Sequence, residues 1–222
     1  MSAKPPKPPI VQPWDRRPWP SDGDVDEDKL YAAIGRFLSE WERYESILSF
    51  VFAAFVTSEH FAIARRAYSA VRTFEGRADM LRASSQTYFY LHPDEPLQEQ
   101  FKAIIKAAAS FSPRRNDIAH GAVDRYLHEP PLLAPVPRSD KFALFPSFAT
   151  FKDRDVEGVP TYCYTTNELE YFRMEFLKLR NPAAQLASHI GHVSRMRTLR
   201  DTHRALSQAS ANPGPDHNDL LE

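Results

Sequence analysis

Leu30, Ile34, Phe37, Trp41, Tyr44, Leu48, Val51 and Phe55 recur at alternating steps of four and three without a miss. An α-helix, at about 3.6 residues per turn, gathers all of them on one face. A chain with such a seam must bury it against others of its kind, and three more follow. Phe61, Ala64, Tyr68, Val71, Phe74, Ala78 and Leu81 predict a second helix, stopped by the two prolines of His92-Pro93-Asp94-Glu95-Pro96. Leu97, Phe101, Ile104, Ala108 and Phe111 open a third, and the same rhythm extended lands on Arg115, Ile118 and Ala122. Leu169, Phe172, Phe176, Leu179, Ala183, Leu186, Ile190 and Val193 give a fourth, capped by Thr166 and kinked at Pro182. The fold class expected is mainly α, an up-and-down four-helix bundle.

The interruptions divide the chain. Pro113 forces either a kink or a fresh helix start with Ser112 as N-cap, and Gly121 is the expected C-terminal stop. Between about 130 and 165 the prolines 130, 131, 135 and 137 punctuate a loop. Phe142-Ala143-Leu144-Phe145, Phe148-Ala149-Thr150-Phe151 and Thr161-Tyr162-Cys163-Tyr164 are β-prone runs around a turn at 153–158. A small β-hairpin inserted before the last helix is the expectation. Residues 1–23 hold seven prolines and no apolar rhythm, which predicts a disordered Pro-rich arm. Residues 203–222 are polar and predict a disordered tail, leaving 24–202 as the helical domain. Asp22, Asp24, Asp26, Glu27 and Asp28 suit a helix N-terminus. They fail as a calcium loop, because Glu27 stands where the turn needs glycine and Ala33 where the bidentate glutamate belongs.

A net charge of −1 over 222 residues argues against sequence-blind nucleic-acid binding through a broad basic surface, so any RNA would meet a local patch. Cys163 is the single cysteine, so no intrachain disulfide forms, which suits a reducing compartment. The start lacks the apolar stretch of a signal peptide, and the longest apolar run, Phe50 to Val56, is too short to span a bilayer. A cytoplasmic protein without a membrane partner is expected.

The densest chemistry lies at the end of the third seam, in Arg114-Arg115-Asn116-Asp117-Ile118-Ala119-His120-Gly121. Arginine offers a planar, permanently charged fork for a phosphate, and histidine titrates near neutrality. Arg115 and His120, five apart, differ by about 140° in azimuth on a helix. Asn116 and His120, four apart, share a face and could hydrogen-bond, and the long arginine can curl back toward them. The stretch resembles the R-x4-6-H signature of the HEPN superfamily of small four-helix domains, many of them metal-independent endoribonucleases. The resemblance covers the motif closely and the helix order loosely, over about 25–200.

The resemblance implies a HEPN-like bundle acting as a homodimer, with two motifs meeting at one cleft that cuts RNA to a 2′,3′-cyclic phosphate. Arg115 would clamp the phosphate, His120 would move protons and Asn116 would position them, with no cofactor and no metal. A toxin or phage-defence role, with an antitoxin or other protein partner, is implied by the family alone. Family toxins silenced by nucleotide modification carry a tyrosine two residues after the histidine. Ala122 stands there, so that route is not expected. The alternative is a catalytically silent bundle serving as a protein-interaction or RNA-binding module, with Arg115 in an ion pair to Glu45 or Asp117.

Glu45 and Arg77 occupy apolar slots on the first two seams, so they are expected to pair with each other or to support the motif, Glu45 by orienting Arg115. Weaker signals read as structure. His189 and His192 have ligand-compatible spacing but no neighbouring ligand, and Cys163 is expected to be buried filler. The second helix's arginines 65, 66, 72, 77 and 82 suit a solvated face, and Trp14 and Trp19 suit either a partner or a disordered arm.

Overall fold

The structure is a computed structural model that describes residues 11–56, 60–127, 139–149, 153–154 and 158–211. The first ten residues of the expected arm, the prolines at 130–137, Phe151 and the tail beyond 211 lie outside them. Five helices and two strands are found among the described residues. They are α1 (Glu27–Val56), α2 (Phe61–Ala70), α3 (Phe74–Leu91), α4 (Glu95–Ala119), β1 (Gly121–Arg125), β2 (Phe142–Pro146) and α5 (Thr166–Ala211). The protein is mainly helical, as its seams dictate.

The helix ends follow from capping chemistry. Asp26 accepts from the backbone N–H of Lys29 at 3.1 Å, and Asp94 from that of Leu97 at 3.1 Å, opening α1 and α4. The expected second helix is two helices. Thr73 turns extended and its hydroxyl accepts from Gly76 N at 3.2 Å, starting α3 afresh after α2 has ended at Ala70. The apolar rhythm survives that break, which is why periodicity alone missed it. Pro113 sits inside α4 without restarting it. The cap of α5 is Thr165 and not Thr166: Glu168 reaches back to the Thr165 N–H at 2.8 Å and to its hydroxyl. Asp24 accepts from Thr166 N at 2.7 Å. The acid cluster thus caps two helices.

Two compact units divide the chain, one of Met1–Ser46 with Lys102–Pro182, the other of Ile47–Phe101 with Ala183–Glu222. In the second, Phe55 meets Tyr88, Phe89 and Phe101 at ring separations of 5.2, 5.8 and 5.2 Å. Phe52 lies 5.6 Å from Tyr68. In the first, Phe176 is the hub, with Phe37, Trp41 and Phe111 rings at 5.0, 5.2 and 5.0 Å. Tyr44 donates to the Ile104 carbonyl at 3.3 Å, tying α1 to α4 there.

Three further expectations change. The β element is not a hairpin within 142–164. Instead β2 pairs antiparallel with β1, directly after the motif, from Gly121 opposite Pro146 to Arg125 opposite Phe142. On its other side β2 bridges Asp24 and Tyr164. The segment 11–23, expected as a disordered arm, is packed down: Trp14 stands edge-on to Phe111 at 5.8 Å, and Trp19 donates to the Leu127 carbonyl at 2.9 Å. The two tryptophans dock on the protein's own core. Finally, α5 continues through the expected start of the tail at 203 to Ala211.

Replacing Phe176 by alanine removes the ring shared by three aromatic neighbours. It is expected to lower unfolding stability by about 3–5 kcal/mol, read as a shift in the urea midpoint at unchanged slope.

Candidate functional site

The motif is divided by the turn of the helix that carries it. Successive residues of α4 point about 100° apart, so adjacent side chains serve different surroundings. Asp117 and Ile118 are buried, whereas Asn116 and His120 are exposed. Arg114 is 11% exposed and Arg115 32%.

Asp117 faces inward and is the charge centre of the first unit. Arg16 reaches its carboxylate with two nitrogens, Nη2 to Oδ1 at 3.0 Å and Nε to Oδ2 at 3.2 Å. Arg114 Nη2 lies 3.3 Å from Oδ2, and the Tyr164 hydroxyl donates to Oδ2 at 2.9 Å. Tyr162 donates to the Asp117 backbone carbonyl at 2.9 Å. Arg16 also binds Asp153 at 3.0 Å and lies over the Tyr162 ring at 4.7 Å. Burial alone would lower the Arg16 guanidinium, but the hydrogen bonds and charge of Asp117 outweigh it and push it above its ordinary value. Burial, and then the charge of Asp117, pushes the Tyr164 and Tyr162 phenols up.

Arg115 faces the other way. Its Nη1 donates to Asn116 Oδ1 at 3.2 Å, and Nη2 stands 3.8 Å from the exposed Glu42, beyond hydrogen-bond reach. Its Nε is buried and has no partner among the described residues. The fork is therefore curled toward Asn116, the residue one helical turn before His120. His120 keeps its backbone N–H on Asn116 O at 3.0 Å. Among the described residues no hydrogen bond joins the Asn116 and His120 side chains; Asn116 serves Arg115. The structure thus joins two of the three expected site residues directly and sets His120 on the same exposed end of α4.

Gly121 follows for a steric reason. A Cβ there would stand 2.7 Å from Leu144 Cδ1 and 3.0 Å from the Asp117 carbonyl, so only glycine lets β1 leave α4 against β2. The helix does stop before Gly121, but since the glycine's φ is not positive the stop comes from close packing and not from a left-handed turn.

The supporting residues lie as follows. Glu45 is buried on α1 in the first unit. Arg77, in the second, donates to the Val71 carbonyl at 2.8 Å and lies over Tyr68. Asp117, expected as an ion-pair partner of Arg115, pairs instead with Arg114 and with Arg16, which sequence reasoning missed. The only available signal was the pair Arg16-Arg17 between Trp14 and Trp19 in a stretch rich in proline. Cys163 is buried, and burial pushes its thiol up. His189 and His192 are exposed on α5, and no metal-binding cluster of His, Cys, Asp or Glu occurs among the described residues. Arg65 is held by Ser49 and Arg82 by Asp79. Among the described residues no helix is long and apolar enough to cross a membrane.

Comparison with known proteins returns no match: no family model fits the chain, and no curated protein or solved structure is significantly similar to it.

Two predictions follow from the Asp117 centre. Asp117→Ala takes the carboxylate from the mostly buried Arg114 and leaves Arg16 with Asp153 alone, and is expected to cost about 3–5 kcal/mol, more than Arg16→Ala, whose partner keeps Arg114 and Tyr164; denaturant titration of both variants checks the order. The raised tyrosines set an alkaline limit. The unfolded chain releases their protons near pH 10 while the folded chain retains them, so their contribution is complete below about pH 10 and fades as pH rises above it. Melting temperature should fall as pH rises from about 10 to 11, and more shallowly in Tyr164→Phe, by differential scanning fluorimetry.

Proposed function

We propose that this chain is a metal-independent endoribonuclease of HEPN type, cytoplasmic, acting as a homodimer of HEPN-like bundles. One observation carries the reading. Of the two adjacent arginines, Arg114 takes the buried ion pair with Asp117, so Arg115 is not needed to hold the bundle. It stands partly exposed beside Asn116 at the end of the helix that presents His120. An interaction module would instead use Arg115 as the buried partner.

The chemistry suits those side chains. The RNA 2′-hydroxyl gives its proton to a base and its oxygen attacks the adjacent phosphorus. The bond from phosphorus to the 5′-oxygen breaks, and that oxygen takes a proton from an acid. A 2′,3′-cyclic phosphate and a 5′-hydroxyl result. One histidine cannot be base and acid in the same step, so a second copy of the chain supplies the other. Arg115 binds two phosphate oxygens through its fork, held in place by Asn116. A toxin or phage-defence role belongs to this proposal through the family resemblance alone.

Wild type, Arg115→Ala and His120→Ala, matched for fold and oligomeric state, are to be incubated with single-stranded and structured RNA in EDTA. Wild type is expected to cleave and leave cyclic phosphate ends, with each substitution lowering the rate by about 100-fold or more. Absence of cleavage by all three across substrates would sink the nuclease reading and favour the interaction module.

A further inference from the structure

Beyond His120 the chain enters β1, and a groove of about 410 Å³ opens there, lined among others by Ala122, Asp124, Arg125, Phe145, Phe148 and Arg154. Its walls are unusual for a surface groove. Phe148 is 70% exposed, yet its ring is held by the Arg154 guanidinium 3.7 Å away. Arg154 is itself fixed by the Gly158 and Pro146 carbonyls at 2.7 and 2.6 Å. Arg125 lies over Phe142 at 4.5 Å. The result is an aromatic platform pinned open in water, with a second guanidinium at the rim and, among the described residues, Asp124 as the one carboxylate lining it.

We infer that this groove receives the unpaired nucleotide next to the scissile phosphate, with its base against Phe148 and its phosphate at Arg125, so that the substrate is single-stranded RNA. The inference rests on the nuclease reading and names the substrate class of that site. A base has a flat face for an aromatic platform, and the Arg125 guanidinium suits its phosphate. The groove begins at Ala122, two residues past His120, or about 7 Å along a strand, of the order of one nucleotide step.

The obvious rival, a peptide strand added to β1, is disfavoured by the backbone. Leu144 exchanges both hydrogen bonds with Tyr164, and Phe142 with Asp24, so both turn away from β1. Their partners Val123 and Arg125 therefore direct N–H and C=O to the open edge. At that edge the Arg125 N–H is already taken by Asp124 Oδ1 at 2.7 Å. Strand addition there would have to displace a carboxylate.

The test uses full-length His120→Ala as parent, so that RNA survives, and fluorescence anisotropy of a short labelled RNA as single strand and as duplex. The parent should bind the single strand more tightly. Adding Phe148→Ala should weaken that binding roughly tenfold, Phe148→Trp should retain it, and Arg125→Ala should weaken it with a shallower salt dependence. Duplex binding should not change. A parent that binds no RNA, or Phe148→Ala and Arg125→Ala variants that bind like the parent, overturns the groove. Wild-type cleavage with unchanged Phe148→Ala binding would remove the groove and leave the nuclease. The expected binding losses without wild-type cleavage would do the reverse.

Discussion

A carboxylate buried in a protein is tolerable only when its charge and lone pairs are met, and Asp117 is 6% exposed. Meeting it requires Arg16 from 101 residues earlier, Arg114 from the preceding turn of α4 and Tyr164 from 47 residues later. That demand closes the first unit. It pulls the segment 11–23 onto the core, where Trp14 and Trp19 then find Phe111 and Leu127. It also fixes the rotation of the last turn of α4, because neither the carboxylate nor the Asp117 carbonyl held by Tyr162 can move without losing a partner.

Rotation of that turn decides everything downstream. With Asp117 inward, Asn116 faces solvent, and Arg115 reaches it with its fork. Gly121 then brings the chain against Leu144, and β1 pairs along β2 from that point. Tyr164 closes the circuit, bonding Leu144 through its backbone and Asp117 through its hydroxyl. One tyrosine thus couples the sheet to the helix end, and Asp117 sets the direction of residues that it does not touch.

Much of this was legible in the seams. Every seam residue of α1 proved buried or half-buried, because a four-three rhythm has no other use in water. Periodicity was blind where geometry changed without a change of hydrophobicity. The α2–α3 break preserves the apolar rhythm across Thr73, and the sheet begins at Gly121 because of steric closeness to a residue 23 positions on. Composition misled at the N-terminus. Prolines weaken local structure, but order in 11–23 comes from two tryptophans and two arginines, whose partners are remote in sequence. Arg115, Asn116 and His120 were singled out by their spacing alone. The neighbour that sorts them, Arg114, carried no distinguishing signal, since two adjacent arginines look alike until the helix is rotated.

The same parity that sorts the helix sorts the strand after it. Along β1 the backbone groups of Val123 and Arg125 face the open edge, while the groove is lined by Ala122, Asp124 and Arg125. Asp124 bends its carboxylate onto the next N–H and blunts the edge, so what the strand offers outward is side chains more than backbone. An open edge is read by another strand, whereas a blunted edge beside a pinned aromatic ring is read by something flat and charged. In a chain of net charge −1 such recognition must be local, and the phenylalanine–arginine pairs beside β1 are local in that sense.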